Sequence, residues 1–220
     1  MSYDAIYDHA YFIYNISMVV NYTTSRLDQI RKILREQNGI LFTSDLVKPR
    51  IPRTYLAILE KNGEIQRVSR GVYFSQNSIV DEMVSIQARY KRAIFSHETA
   101  LYLHGLTDRT PLDYSVTVPA GYNATLLKAE GAKVFFVNHS LYMLGLIAKA
   151  SPHGNEIKTF DLERTICDVV RNRNQIDVQI KNEALKRYVV SKERRFDLLY
   201  SYAKKFRIEK IVREYIEILR

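Results

Sequence analysis

The chain has 220 residues, 46% of them apolar, and carries 33 Lys and Arg against 24 Asp and Glu, giving a formal net charge of +9 and a pI of about 9.5. That length supports one sizeable core or two small ones, and the basic balance favours a polyanionic partner, nucleic acid ahead of an anionic membrane. The single cysteine, Cys167, excludes an intrachain disulfide and any multi-cysteine zinc site, and it suits a reducing cytoplasm.

Residues 1–23 read as an N-terminal arm or extension. They are rich in tyrosine, and no Lys or Arg precedes Arg26, so the basic start of a signal peptide is missing. Asn15, Ser17 and Asn21 interrupt the apolar run, which is too short to span a bilayer. The change of character near Asn21 leaves Met18 open as the natural start in place of Met1.

Ser25 and Asp28 have the spacing of a capping box ahead of a helix over 26–36, with Leu27, Ile30, Ile33 and Leu34 on its apolar face. Asn38-Gly39 stops it, and 40–42 reads as a short strand. Thr43 or Ser44 caps a brief helix over 45–48, which Pro49 ends. Pro52 suits the first turn of a second helix that runs to about Lys61. Tyr55, Leu56 and Leu59 face inward there, with Arg53, Thr54, Ala57 and Lys61 outward. Two strands over 64–74 then flank a tight turn at Ser69-Arg70-Gly71. Strand, helix, turn, helix and basic hairpin, in that order, predict a winged helix-turn-helix over 24–78, a shape that places one helix in the DNA major groove.

Small and basic residues on one exposed helix face suit close approach to bases and phosphates. Arg50, Arg53, Thr54 and Ala57 are the candidates for base edges. Lys61, Arg67 and Arg70 are the candidates for phosphates, with Lys48 and Ser69 completing the DNA-binding surface. From Arg26 to Arg70 there are ten basic residues against five acidic ones, a surplus of five that is over half the charge of the chain.

Polar residues 75–78 read as a linker to a second domain over 79–220. A helix over 81–92, a strand over 93–95 and a helix over 97–104 capped by Ser96 come first. His97-Glu98 lacks the second histidine that a zinc protease needs four residues on. Strands follow over 114–118 and 133–137, then a hairpin of 144–150 and 155–160. Asp161 caps a helix over 162–171 with Leu162, Ile166, Val169 and Val170 inward and Cys167 as a small buried or half-buried side chain; Arg164 and Asp168, four apart, can pair on it. The tail over 176–220 is helical, with twelve basic residues from Lys181 to Arg220 against six acids, either a solvated face or a further contact surface.

The expected fold class is therefore α+β: an N-terminal winged helix-turn-helix, then a mixed α/β C-terminal domain with a small sheet and a helical tail. No phosphate loop, serine elbow or zinc spacing is present, so no catalytic residue, metal or cofactor is expected. Asp113 with Glu156 and Lys158 is a minor nuclease-like alternative. A ligand-responsive winged-helix repressor is the other. No heptad seam is visible, which suggests a monomer in solution.

The segments PRTYLAILEKNGEIQRVSRGVYF (52–74), FSHETALYLHGLTD (95–108), YSVTVPAGYN (114–123) and FDLERTICDVVR (160–171) together resemble the AbiEi antitoxins of bacterial abortive-infection (AbiE) systems, the antitoxin half of a type IV toxin–antitoxin pair. The likeness covers about 25–171, and the tail more loosely. It implies a phage-resistance function in which the winged helix binds inverted repeats in its own operon promoter, two copies of the protein on the DNA, and represses transcription. It also implies that the C-terminal domain counters an AbiEii-type toxin, which resembles nucleotidyltransferases, without a stable complex. On the family pattern, Glu163, Arg164 and Asp168 would form a toxin-antagonism surface; a salt bridge steadying the helix is the structural alternative.

Overall fold

The computed structural model describes residues 22–219 and shows an α+β chain with one three-stranded and one five-stranded sheet. Most of the expected arm over 1–23, and the choice between Met1 and Met18, lie outside the described residues. The chain divides into two compact units between Ser85 and Ile86.

In the first unit, helix α1 (22–36) precedes strand β1 (Ile40–Phe42), a 3-10 turn (Thr43–Leu46), helix α2 (Thr54–Lys61) and the hairpin of β2 (Ile65–Ser69) and β3 (Val72–Ser75). The sheet order is β1-β3-β2, antiparallel throughout, with Leu41 opposite Tyr73 and Gln66 opposite Phe74. Ile30 and Leu34 of α1, Leu46 of the 3-10 turn, and Leu56 and Leu59 of α2 close a core over Leu41, Ile65 and Tyr73. These are the apolar positions that helical and alternating spacing bring to one side.

Two local expectations are corrected. Ser25 lies inside α1 instead of ahead of it, and Asp28 pairs with Arg31 at 2.8 Å instead of closing a capping box. The brief helix starts at Thr43 and is 3-10, and the Asp45 carboxylate accepts from the Phe42 backbone N–H at 2.8 Å. Residues 75–78 form a turn tied back on the first unit. Ser78 donates to the Ser75 carbonyl through both its N–H and its hydroxyl, and Gly39, at φ +81°, passes so near that a Cβ would lie 2.7 Å from Ser78 Cβ. The division into units falls later, within α3 (Glu82–Arg89), which Asp81 caps through Met83 and Val84 N–H.

In the second unit, β4 (Ile94–Phe95), α4 (His97–Leu103), β5 (Ser115–Pro119), α5 (Thr125–Ala129), β6 (Lys133–Val137), α6 (His139–Tyr142), β7 (Leu146–Ala150) and β8 (Glu156–Phe160) lead into α7 (Leu162–Arg171). The sheet order is β6-β5-β4-β8-β7 and mixed. The pairs β5–β6 and β4–β8 are parallel, and β4–β5 and β7–β8 are antiparallel. The expected helical tail is three helices, α8 (Val178–Val190), α9 (Phe196–Lys205) and α10 (Glu209–Leu219), broken at Ser191, which is extended, and near Arg207, at φ +59°. They wrap α7, whose Ile166, Val169 and Val170 meet Leu185, Tyr188, Leu199, Ala203, Val212 and Ile216 in one core. Among the described residues, no helix is long and apolar enough to cross a membrane.

Candidate nucleic-acid interface

The turn between the 3-10 segment and α2 is fixed at both ends by buried side chains, Leu46 and Ile51. Ile51 N–H donates to the Leu46 carbonyl at 2.9 Å and Arg50 N–H to the Val47 carbonyl at 3.1 Å. Arg50 sits between them at φ +53°, a left-handed conformation that costs a side-chain-bearing residue roughly 1–2 kcal/mol. Arg26, from α1, completes the turn: its Nη1 donates to the Pro49 carbonyl at 2.9 Å and its Nη2 to the Tyr22 hydroxyl at 2.8 Å. Pro52 stands just ahead of α2 instead of in its first turn, and its carbonyl accepts from Tyr55 N–H.

On α2, Leu56 and Leu59 are buried, while Thr54, Ala57 and Lys61 are exposed, as is Arg53 just ahead of the helix. Thr54, Ala57 and Lys61 follow the i, i+3, i+7 spacing of one helix face. The hairpin has a bulge at Val68, between Arg67 and Ser69, and turns at Arg70-Gly71. Thr43 N–H donates to the Gly71 carbonyl at 2.9 Å, which ties the wing tip to the start of the helix-turn-helix. Gly71, at φ +79°, is required there, because a Cβ would approach Thr43 Oγ1 to 2.9 Å.

Of the ten basic residues in this unit, Arg26 and Arg31 are engaged internally, and Lys32 lies 3.8 Å from Glu36. Arg31 grips Glu64 through Nε at 2.8 Å and Nη2 at 2.9 Å, and Asp28 through Nη1. Those hydrogen bonds raise the Arg31 pKa and hold the Glu64 carboxyl below its usual range. Lys48, Arg50, Arg53, Lys61, Arg67 and Arg70 are exposed, and none pairs with a carboxylate among the described residues. The expected role of Ser69 is corrected. Its hydroxyl is buried without a partner, and its carbonyl accepts from Arg67 Nε, so its side chain presents no donor to a phosphate.

The expected toxin-antagonism surface is corrected on burial: Glu163, Arg164 and Asp168 are 0%, 0% and 2% exposed. Arg164 Nε donates to Asp168 Oδ2 at 2.9 Å, and Nη1 donates to the Leu141 and Leu144 carbonyls at 2.7 and 2.8 Å. Its guanidinium lies over the rings of Phe160 and Phe206, 4.2 and 4.5 Å from their centroids. Glu163 accepts from Arg195 N–H and Nη2, joining α7 to the segment before α9. The salt-bridge alternative is what the geometry contains. Burial raises the Asp168 and Asp161 carboxyls and pushes the Cys167 thiol well up, which leaves it inert.

The nuclease-like set does not assemble. Asp113 stands before the start of β5 and Glu156 opens β8, with β4 between them. Because β5 runs antiparallel to β4 and β4 parallel to β8, the two acids lie at opposite ends of the sheet. Among the described residues, no group of three His, Cys, Asp or Glu could hold a metal ion. A cavity of about 390 Å³, missed by sequence reasoning, is lined by Glu98, Thr107, Arg109, Asp113, Lys133 and Ile180. Its charges are already engaged in part, Glu98 with Lys133 at 3.4 Å and Arg109 with Gln179 at 2.7 Å. Periodicity could not have shown it, since its walls come from elements far apart in the chain.

No family model matches the chain, and no curated protein matches it. Its fold does recur. The crystal structure of the RV2827C protein from Mycobacterium tuberculosis is similar with a TM-score of 0.58 at 12% sequence identity, over 87% of this chain and 77% of that one. A likeness at that identity concerns the fold alone.

Proposed function

We propose that the protein is a DNA-binding transcriptional autorepressor of the antitoxin kind, similar to AbiEi, acting in the cytoplasm on inverted repeats upstream of its own operon. The observation that carries this reading is the set of six exposed cations (Lys48, Arg50, Arg53, Lys61, Arg67 and Arg70) without carboxylate partners among the described residues, on the turn, α2 and wing of a helix-turn-helix. Arg50, Arg53, Thr54 and Ala57 address base edges; Lys48, Lys61, Arg67 and Arg70 address phosphates. One such unit reads a half-site, so an inverted repeat recruits two copies. The second unit supplies the action against a nucleotidyltransferase-like toxin, without a stable complex.

The test is a mobility shift on the duplex upstream of the gene, across a salt series, paired with rescue of cells from the neighbouring toxin. Each phosphate contact contributes about −0.9 to the slope of log affinity against log salt. Lys61→Ala and Arg70→Ala should each weaken binding to every duplex and flatten that slope by about 0.9. Equal affinity of the wild type for the upstream duplex and a shuffled one contradicts the repressor reading. Absence of rescue contradicts the antitoxin reading.

A further inference from the structure

We propose that Arg26 is a positioning residue for DNA recognition: from α1 it locks the turn that holds Arg50 ready to read a base edge. The inference rests on the repressor reading above.

Three hydrogen bonds over-determine this turn. Pro49 C=O accepts from Arg26, Arg50 N–H meets Val47 C=O, and Ile51 N–H meets Leu46 C=O. Two of the three are local to the turn; the Arg26 bond comes from 23 residues away. Arg50 occupies a positive φ, where glycine would be the easy choice. The turn therefore bears a backbone strain, and strain of this kind persists where the surroundings enforce it.

The Arg26 guanidinium is satisfied by neutral acceptors: the Pro49 carbonyl, the Tyr22 hydroxyl and the Gln29 amide oxygen at 3.3 Å. It also lies over the Tyr22 ring, 4.8 Å from the centroid. A cation so placed has two possible uses near DNA. Either it fixes the turn, or it leaves these acceptors for a phosphate. The two differ in salt dependence, since only a phosphate contact releases counterions.

The experiment is a double-mutant cycle on the full chain with Arg26→Met, Arg50→Gly and both together. Affinity is read for the upstream duplex and a shuffled duplex across a salt series, alongside thermal melting. Arg26→Met should lower the upstream-to-shuffled preference roughly tenfold, within the range of one good base contact, and leave the salt slope unchanged. Arg50→Gly should raise the melting temperature and lower the same preference by a comparable factor. The double variant should show no further loss beyond Arg50→Gly, because Arg26 acts through Arg50.

A slope flattened by about 0.9 in Arg26→Met would make Arg26 a phosphate ligand and overturn the inference, as would additive losses in the cycle. Where Arg26→Met does not fold, Arg26→Gln takes its place in the same cycle. A wild type without preference between the duplexes overturns the repressor reading instead, and the inference falls with it.

Discussion

His97 is nearly fully buried at φ +50°, and its ring stacks on Phe135 at 3.5 Å between centroids. Nδ1 meets Ser96 Oγ at 2.9 Å and Nε2 meets Asn172 Nδ2 at 2.9 Å, an arrangement that suits a neutral ring protonated on Nδ1. The Ser96 hydroxyl is thus committed to His97 and Thr117 instead of capping α4. Burial, and then the charges of Arg164 and Arg171, hold the His97 pKa well below 6.5. His104, which meets the Phe160 carbonyl, is lowered in the same direction, again mainly by burial. Both bind a proton more weakly folded than unfolded, so the unfolded chain gains protons as pH falls below about 6.5. Stability should therefore fall on acidification from pH 7.5 to 5.5, by up to about 1.4 kcal/mol per pH unit per histidine. The raised Asp161 and Asp168 act with the opposite sign, in the window just above 3.8. Urea unfolding across this range measures it. His97→Gln should flatten the dependence, and a pH-independent wild type would contradict the assignment.

The same contrast between pattern and burial recurs at the level of α7. Its bounds, its Asp161 cap and its inward Leu162, Ile166, Val169 and Val170 were legible from spacing alone, and Asp161 Oδ1 does accept Arg164 N–H at 2.8 Å. What spacing could not show is that every residue from Leu162 to Val170 is buried, because the second layer comes from α8, α9 and α10, distant in sequence. Without that layer, spacing leaves a polar face open to either reading, a contact surface or a salt bridge that steadies the helix. Removing one partner of its ion pair strands the other, so Arg164→Met should cost about 3–5 kcal/mol in chemical denaturation. Arg164→Met with Asp168→Leu should cost less than the single change, since neither charge is then left alone. A double variant no better than the single would show that the carbonyls of Leu141 and Leu144 dominate. In the first unit, α2 and the hairpin were similarly legible from their apolar spacing and turn residues; in the second, α5 and α6 were too short to carry a period. The internal duties of Arg26 and Arg31 were illegible for another reason. Besides local partners, they hold the Pro49 carbonyl and the Glu64 carboxylate, which lie 23 and 33 residues away, beyond any local pattern.

At the scale of the whole chain, the helical core of the second unit draws only on residues from Leu101 onward. A chain of residues 86–220 should accordingly unfold as one cooperative transition, followed by circular dichroism in urea. A featureless melt would show that this unit depends on the first. The same fragment, tested for rescue without DNA binding, separates the two proposed activities. The buried charges of α7 also set an order of events during synthesis. Arg164 Nη1 meets carbonyls 23 and 20 residues earlier, but Glu163 waits for Arg195, 32 residues later, and Asp161 for Tyr202, 41 residues later. A ribosome emitting this chain delivers α7 with the Glu163 carboxylate and one oxygen of Asp161 still unmatched until α9 has cleared the exit tunnel, although Asp168 already has Arg164 within the helix. The first unit, complete by Ser85, is free to fold long before, so a nascent protein has one finished unit while its larger half is still waiting for its tail.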